Sequence, residues 1–269
     1  MVNGKTRLFV LLGSPVEHSV SPAMQTAAFR ALGLDAAYVP LRCAAGDVSH
    51  IIRIVTQAGG GGNITLPHKE AAVGAVTSPS PLVQSTGACN TFWPGEGAGG
   101  VCGENTDVEG VLAALDRLNA PPTDWLVLGT GGSARAVAAA ALSRGAAIAV
   151  ESRSAERKLT FEAWARTLGV RISELGRCQV VINCTPLGLN PSDPLPILPS
   201  RIPQIVVALD LVYRMEGTRW SRAMAAPGVR SADGREALVA QGAAAFRCWF
   251  PDCDPPVEVM RAVVNARLR

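Results

Sequence analysis

The chain has 269 residues, 48% of them hydrophobic and 17% charged, with a formal net charge of +3 at pH 7. This is the composition of a folded, soluble protein and excludes a disordered chain; the length suits one large domain or, better, two smaller ones. The small basic excess is scattered, which argues against nucleic-acid or membrane partners and leaves a small anionic ligand open.

The N-terminal stretch "MVNGKTRLFVLLGSP" sets basic residues before an apolar run. The run is only strand-length, ends in a glycine turn and lacks a small-residue cleavage site, and no other stretch reaches membrane-spanning length, so a cytoplasmic location is expected. Up to about Cys102, strand-like "LFVLLG", "AAYVPLR", "NITL" and "GVCGEN" alternate with helix-like "PAMQTAAFRAL" and "GDVSHIIRIVTQA". Such alternation predicts an α/β layer structure. For the first helix, Ser21 is the expected N-cap, Pro22 suits the first position, and Gly33 suits the residue past the end. In "TDVEGVLAALDRL", Val108, Val111, Leu112, Leu115 and Leu118 fall at helical spacing with Asp107 in the first turn, and "NAPPTD" breaks the helix. A second α/β series follows from Trp125: "WLVLG", a helix through "SARAVAAAALSR" stopped by Gly145, then "AAIAVE", "QVVINC" and "QIVVALDLV". Two helical stretches, "DGREALVAQGAAAFRCWF" and "PPVEVMRAVVNARL", close the series and could dock on either half.

The seven cysteines are odd in number and form no C-x-x-C pair, so they read as reduced core residues rather than a disulfide framework or zinc site. His18 and His68 lack metal-ligand spacing, and no metal is expected.

The loop "GTGGSARA" carries Gly129, Gly131 and Ala134 at G-x-G-x-x-A spacing, after a strand and opening a helix. In a dinucleotide site the first glycine makes the tight turn and the second admits the pyrophosphate. Ala134 lets helix and strand pack closely. Gly132 and Ser133 complete the loop. About 20 residues on, Glu151 stands where an acid binds the ribose hydroxyls of NAD. The following "SRSAER" adds Arg153 and Arg157, which suit the 2′-phosphate of NADP. The two readings conflict, and the guanidiniums beside serines favour NADP, with NAD the alternative.

The segments "GSPVEHSVSP", "NITLPHK", "ACNT", "GENTD", "GTGGSARA", "NCTPLG", "DLVY" and "ADGREALVAQ" occur in an order and spacing that resemble the shikimate dehydrogenase family, including its quinate and aminoshikimate relatives. The resemblance spans nearly the whole chain. It implies an α/β fold with a substrate-binding domain over residues 1–106, joined by residues 238–269, and a Rossmann-like NADP domain over residues 107–237. The C-terminal helix would return to the first domain, with the active site in the cleft between the domains. The implied reaction interconverts 3-dehydroshikimate and shikimate in aromatic amino acid biosynthesis.

By position, Ser19 and Ser21 match the binders of the substrate carboxylate, aided by Thr65 and Tyr213. Asn90 and Gln241 match the hydroxyl contacts, Lys69 and Asp107 the catalytic pair, and Ser152, Arg153 and Arg157 the 2′-phosphate site. These residue types suit the chemistry. A hydroxyl beside free N–H groups at a helix start can hold a carboxylate, and side-chain amides both donate to and accept from ring hydroxyls. The sequence departs from the family pattern at Glu236 and Ala237, where glycine and methionine are usual beside the nicotinamide, and at Cys89, where valine is commoner.

Two readings of other classes compete. A glycine loop followed by an acid also suits a nucleoside-methionine cofactor and hence a methyltransferase, which leaves the Lys69 and Asp107 segments unexplained. A non-catalytic nucleotide-binding regulator could share the fold, but both presumed catalytic residues are retained. Within the family, shikimate, quinate and an amino analogue are not separable from sequence, and neither is the oligomeric state.

Overall fold

A computed structural model describes residues 2–268, which divide into two compact units, 2–106 with 238–267 and 107–237 with 268. In the first, β1 (Arg7–Gly13), α1 (Ser21–Ala31), β2 (Ala36–Arg42), α2 (Val48–Gln57) and β3 (Gly61–Ile64) alternate as the sequence predicts. Then come β4 (Ser78–Pro79), α3 (Pro81–Thr86), β5 (Thr91–Pro94) and β6 (Val101–Glu104). The sheet order is β2-β1-β3-β5-β6-β4; β1 pairs parallel with β2 and β3, whereas β5 pairs antiparallel with β3 and β6. The strand β5 is not legible in the sequence, because four residues ending in proline carry too little periodicity; hydrogen bonds from both flanking strands define it.

Apolar spacing explains the packing. In α2, Val48, Ile52 and Val55 are buried on one helical stripe, against Val10, Leu12, Ile64 and Phe92. Each such side chain contributes about 1.5–3 kcal/mol on burial. An aromatic group of Phe9, Phe29, Phe246, Trp249 and Phe250 joins β1 and α1 to the C-terminal helical stretch.

One expectation fails at α1. Ser21 is not the N-cap: Val20 holds that position with helical dihedral angles (φ −87°, ψ −13°) and supplies no capping side chain. The turn tightens one residue early, so Ser21 N–H instead meets Ser19 Oγ at 3.2 Å. The other end behaves as expected, with Gly33 at φ +65°.

The second unit contains α4 (Asp107–Arg117), β7 (Asp124–Leu128), α5 (Gly132–Ser143), β8 (Ile148–Glu151), α6 (Ala155–Thr167), β9 (Cys178–Asn183), β10 (Val207–Asp210), α7 (Arg219–Met224) and β11 (Arg230–Ala232). Its sheet, β11-β10-β9-β7-β8, is parallel throughout. The near-continuous apolar strands reflect burial on both faces. On α4, Val108, Val111 and Leu115 are buried as expected, while Ala114 takes a core position and Leu112 is half-buried, as is Leu118 just past the helix end. Because β8 and β9 flank β7 on opposite sides, the chain reverses direction across the sheet there. Ligands of open α/β sheets bind at the carboxyl ends of strands at such a switch point.

The chain ends with α8 (Arg235–Trp249) and α9 (Val257–Arg267). From Leu238 these helices belong to the first unit, where Gln25 Nε2 of α1 donates to Gly242 O at 2.9 Å and Trp249 Nε1 donates to Phe92 O at 3.2 Å. All seven cysteines are free thiols; Cys89 and Cys178 are buried, whereas the other five are half-buried and so are not core residues. Burial pushes the Cys178 thiol up to about 11, which keeps it protonated. Among the described residues no helix is long and apolar enough to cross a membrane.

Candidate active site

In the first unit, the loops after β1 and β3 lie side by side. Ser14 N–H donates to Leu66 O at 2.9 Å, and Thr65 N–H donates to Leu12 O at 2.8 Å. This brings the segment holding Ser19 and Ser21 beside the one holding Thr65 and Lys69. Ser19 is half-buried and Ser21 buried, and since the Ser21 hydroxyl is not spent on a cap, its donor is left for another partner.

Lys69 is half-buried, at a turn fixed by its neighbours. His68 is 2% exposed, and its Nε2 lies 2.9 Å from Cys43 O. Cys89 N–H donates to Lys69 O at 2.8 Å and His68 N–H donates to Thr65 O at 2.9 Å, so the lysine carbonyl and the residue before it are both held. The histidine is therefore a structural anchor for the turn.

Asn90 is 2% exposed, and its side chain works inside the fold. Its Oδ1 accepts from Thr106 N–H at 2.8 Å and from the Thr91 hydroxyl at 3.0 Å, while Nδ2 donates to Thr106 Oγ1 at 3.0 Å. These bonds fix the residue immediately before Asp107, which is the half-buried first residue of α4. Gln241, half-buried on α8, donates Nε2 to Leu238 O at 2.9 Å; it precedes the Gly242 carbonyl bound by Gln25 of α1.

In the second unit the glycine loop stands at the switch point. Gly129 has φ +106°, and a side chain there would meet Thr185 Cγ2 at 3.1 Å and the Cys184 carbonyl carbon at 3.3 Å. A glycine is needed both for the backbone and for the "NCTPLG" loop beside it. Gly131 differs: apart from its neighbours in the chain, no protein atom lies within 4 Å of where its Cβ would stand. Its lack of a side chain is not explained by protein packing and fits the close approach of a pyrophosphate to the protein backbone. Gly131 is also the N-cap of α5 and supplies no side-chain cap, and the backbone of Gly132, Ser133 and Ala134 forms the positive end of the helix. These residues fit a dinucleotide pyrophosphate.

The adjoining strand end is tied to this loop, since Gly129 N–H donates to Glu151 O at 2.8 Å. Ser152 Oγ accepts from Ser154 N–H at 3.4 Å, and Ser154 caps α6 by accepting from Arg157 N–H at 3.2 Å. The Arg153 and Arg157 side chains are exposed. Glu236, the departure near the expected nicotinamide, has its carboxylate 3.6 Å from Arg117 Nε, and Ala237 is 8% exposed.

Sequence reasoning gave no role to a buried polar network at the ends of β9 and β10. Asn183 donates Nδ2 to Asp210 Oδ1 at 2.8 Å, and its own Oδ1 accepts from Thr185 N–H at 3.0 Å and Thr185 Oγ1 at 2.7 Å. Asp210 also accepts from Val212 N–H at 3.0 Å, one residue before the half-buried Tyr213. The signal was present: "VVIN" and "VALD" each end an apolar strand on a polar residue, and such a residue in a doubly buried sheet needs partners. Burial pushes the Asp210 carboxyl up to about 6, against the lowering by its hydrogen bonds from Thr218, Val212 and Asn183.

Comparison with known proteins agrees with this arrangement. Residues 11–92 match the profile of the shikimate dehydrogenase substrate binding domain, and residues 234–264 match the shikimate 5'-dehydrogenase C-terminal domain. A shikimate dehydrogenase (NADP(+)) of Methanothrix thermoacetophila is 38% identical over 272 residues, covering 97% of this chain and 98% of the relative. One from Trichormus variabilis is 34% identical over 290 residues, covering 100% and 99%. The crystal structure of shikimate 5-dehydrogenase from Thermus thermophilus, in complex with NADP(H) and shikimate, superposes with a TM-score of 0.87 at 36% identity, covering 97% and 99%. Identity at this level along both full lengths, on one α/β architecture, means that the chain belongs to the shikimate dehydrogenase family.

Proposed function

We propose that this protein is an NADP-dependent oxidoreductase that interconverts 3-dehydroshikimate and shikimate in aromatic amino acid biosynthesis. The observation that carries this reading is the full-length likeness to an enzyme solved with both NADP(H) and shikimate. It is supported locally by the open position at Gly131 over the start of α5.

When bound, the reduced dinucleotide supplies hydride to the carbonyl carbon. The work of the chain is to hold the substrate and move a proton. Ser19 and Ser21, with Thr65 and Tyr213, bind the carboxylate; Asn90 and Gln241 address the ring hydroxyls. As charge develops on the carbonyl oxygen, the Lys69 ammonium stabilises it and donates the proton, and in the reverse direction the neutral amine removes it from the hydroxyl. Asp107 orients the amine and accepts from a substrate hydroxyl. On the nucleotide side, Gly129, Gly131, Gly132, Ser133 and Ala134 cradle the pyrophosphate, and Ser152, Arg153 and Arg157 receive the 2′-phosphate. A cytoplasmic location belongs to the same reading.

The test follows nicotinamide absorbance while shikimate, quinate and an amino analogue are each offered with NADP and with NAD. Turnover of shikimate with NADP is expected to be fastest. Preference for quinate or for the amino analogue would move the protein to another branch of the family, and absence of turnover with every pair would overturn the enzymatic reading.

A further inference from the structure

Glu151 is the last residue of β8, at the place where an acid in a dinucleotide domain accepts the ribose 2′- and 3′-hydroxyls and so selects NAD. Its carboxylate is already engaged. Oε1 lies 3.2 Å from Lys158 Nζ on α6, and Oε2 lies 4.0 Å from an Arg201 Nη on the connection between β9 and β10. The two cations approach from different segments, one on each carboxylate oxygen. Arg153 and Arg157, both exposed, follow in the connection from β8 and in the first turn of α6, so the segment after the strand is rich in cations.

We infer that Lys158 and Arg201 restrain Glu151 and thereby set nucleotide selectivity. They hold its carboxylate away from the ribose hydroxyls and leave a surplus of positive charge suited to a 2′-phosphate. This inference rests on the NADP reading above. Two features favour a selective over a structural role. The side chains of Lys158, Glu151 and Arg201 are 36%, 33% and 61% exposed, and ion pairs that exposed add little to folding. Their charge, however, faces a dianion arriving from solvent and attracts it. A bare acid at the same place would repel that dianion and attract the dihydroxy ribose instead.

The experiment compares the wild type, the double variant Lys158→Ala/Arg201→Ala, the single variant Glu151→Gln, and the triple variant. Calorimetric titration with NAD and with NADP needs no turnover, so it remains informative even if shikimate is not the substrate; kcat/KM with each dinucleotide is measured alongside. The double variant should bind NAD about three- to tenfold more tightly and NADP more weakly, as expected for weak exposed pairs converted to affinity. In the triple variant the gain for NAD should vanish, because no acid remains to be released. Unchanged or weaker NAD binding in the double variant, or an equal gain in the triple, overturns the inference. Wild-type preference for NAD would instead refute the NADP reading on which it stands.

Discussion

The Thr218 hydroxyl donates to Asp210 Oδ2 at 2.6 Å while accepting from Ser221 N–H at 2.9 Å. One side chain therefore caps α7 and satisfies a carboxylate at the end of β10, itself wholly buried. Through Asn183, the same carboxylate reaches the "NCTPLG" loop beside Gly129.

This network predicts an unusual pH dependence. Burial raises the Asp210 carboxyl from 3.8 to about 6, so the folded chain keeps its proton to higher pH than the unfolded chain. Its stabilising contribution is present below the unfolded value and lost as pH rises through about 6, with a full size on the order of 3 kcal/mol. In urea titrations from acid to neutral pH, wild type should lose stability relative to Asp210→Asn across that window. A constant difference between the two would show that Asp210 does not titrate there.

Two glycines two residues apart should fail differently. Gly129→Ala forces a side chain into φ +106° and against Thr185, and should lower folding stability by about 1–3 kcal/mol. Gly131→Ala meets no protein atom apart from its neighbours in the chain, so thermal unfolding should be nearly unchanged while NADP affinity falls. Calorimetry and melting curves on both variants separate the cases; unimpaired NADP binding by Gly131→Ala would remove the loop from the pyrophosphate site.

Ser21→Ala tests the carboxylate assignment without a capping effect. Loss of an N-cap side chain costs about 1 kcal/mol, but Ser21 caps nothing here, so stability should hold. Losing a hydrogen bond to a charged group costs about 1.5–3 kcal/mol, or roughly ten- to a hundredfold in substrate binding. The Michaelis constant for shikimate should rise by that factor with NADP affinity unaltered. If it does not move, Ser21 does not touch the substrate.

Lys69→Ala should reduce turnover by about a hundred- to ten-thousandfold, with substrate affinity much less affected. The backbone of Lys69 is held through Cys89 N–H, independently of its side chain, so the variant should fold. Wild-type turnover in a folded variant would make the lysine a surface charge.

How much was legible in the sequence differs from element to element. The buried stripe of α2, the turn at Gly33 and the Gly129 loop were readable because each depends on neighbours a few residues away: helical spacing, a positive φ, and a strand running into a helix. The family was likewise readable from its motifs, since chemistry confines the residue types that can serve them. Contacts between distant residues decided the rest. The cap of α1 passed from Ser21 to Val20 through the geometry of the preceding loop, and β5 became a strand by pairing with β3 and β6. Likewise, Glu151 was engaged by Lys158 and Arg201, one N–H of the Asn90 amide was taken by Thr106 Oγ1, and the terminal helices were placed on α1 by Gln25. A hydrogen bond or ion pair of this kind is a property of two positions in space, and a linear pattern holds only one of its partners at a time.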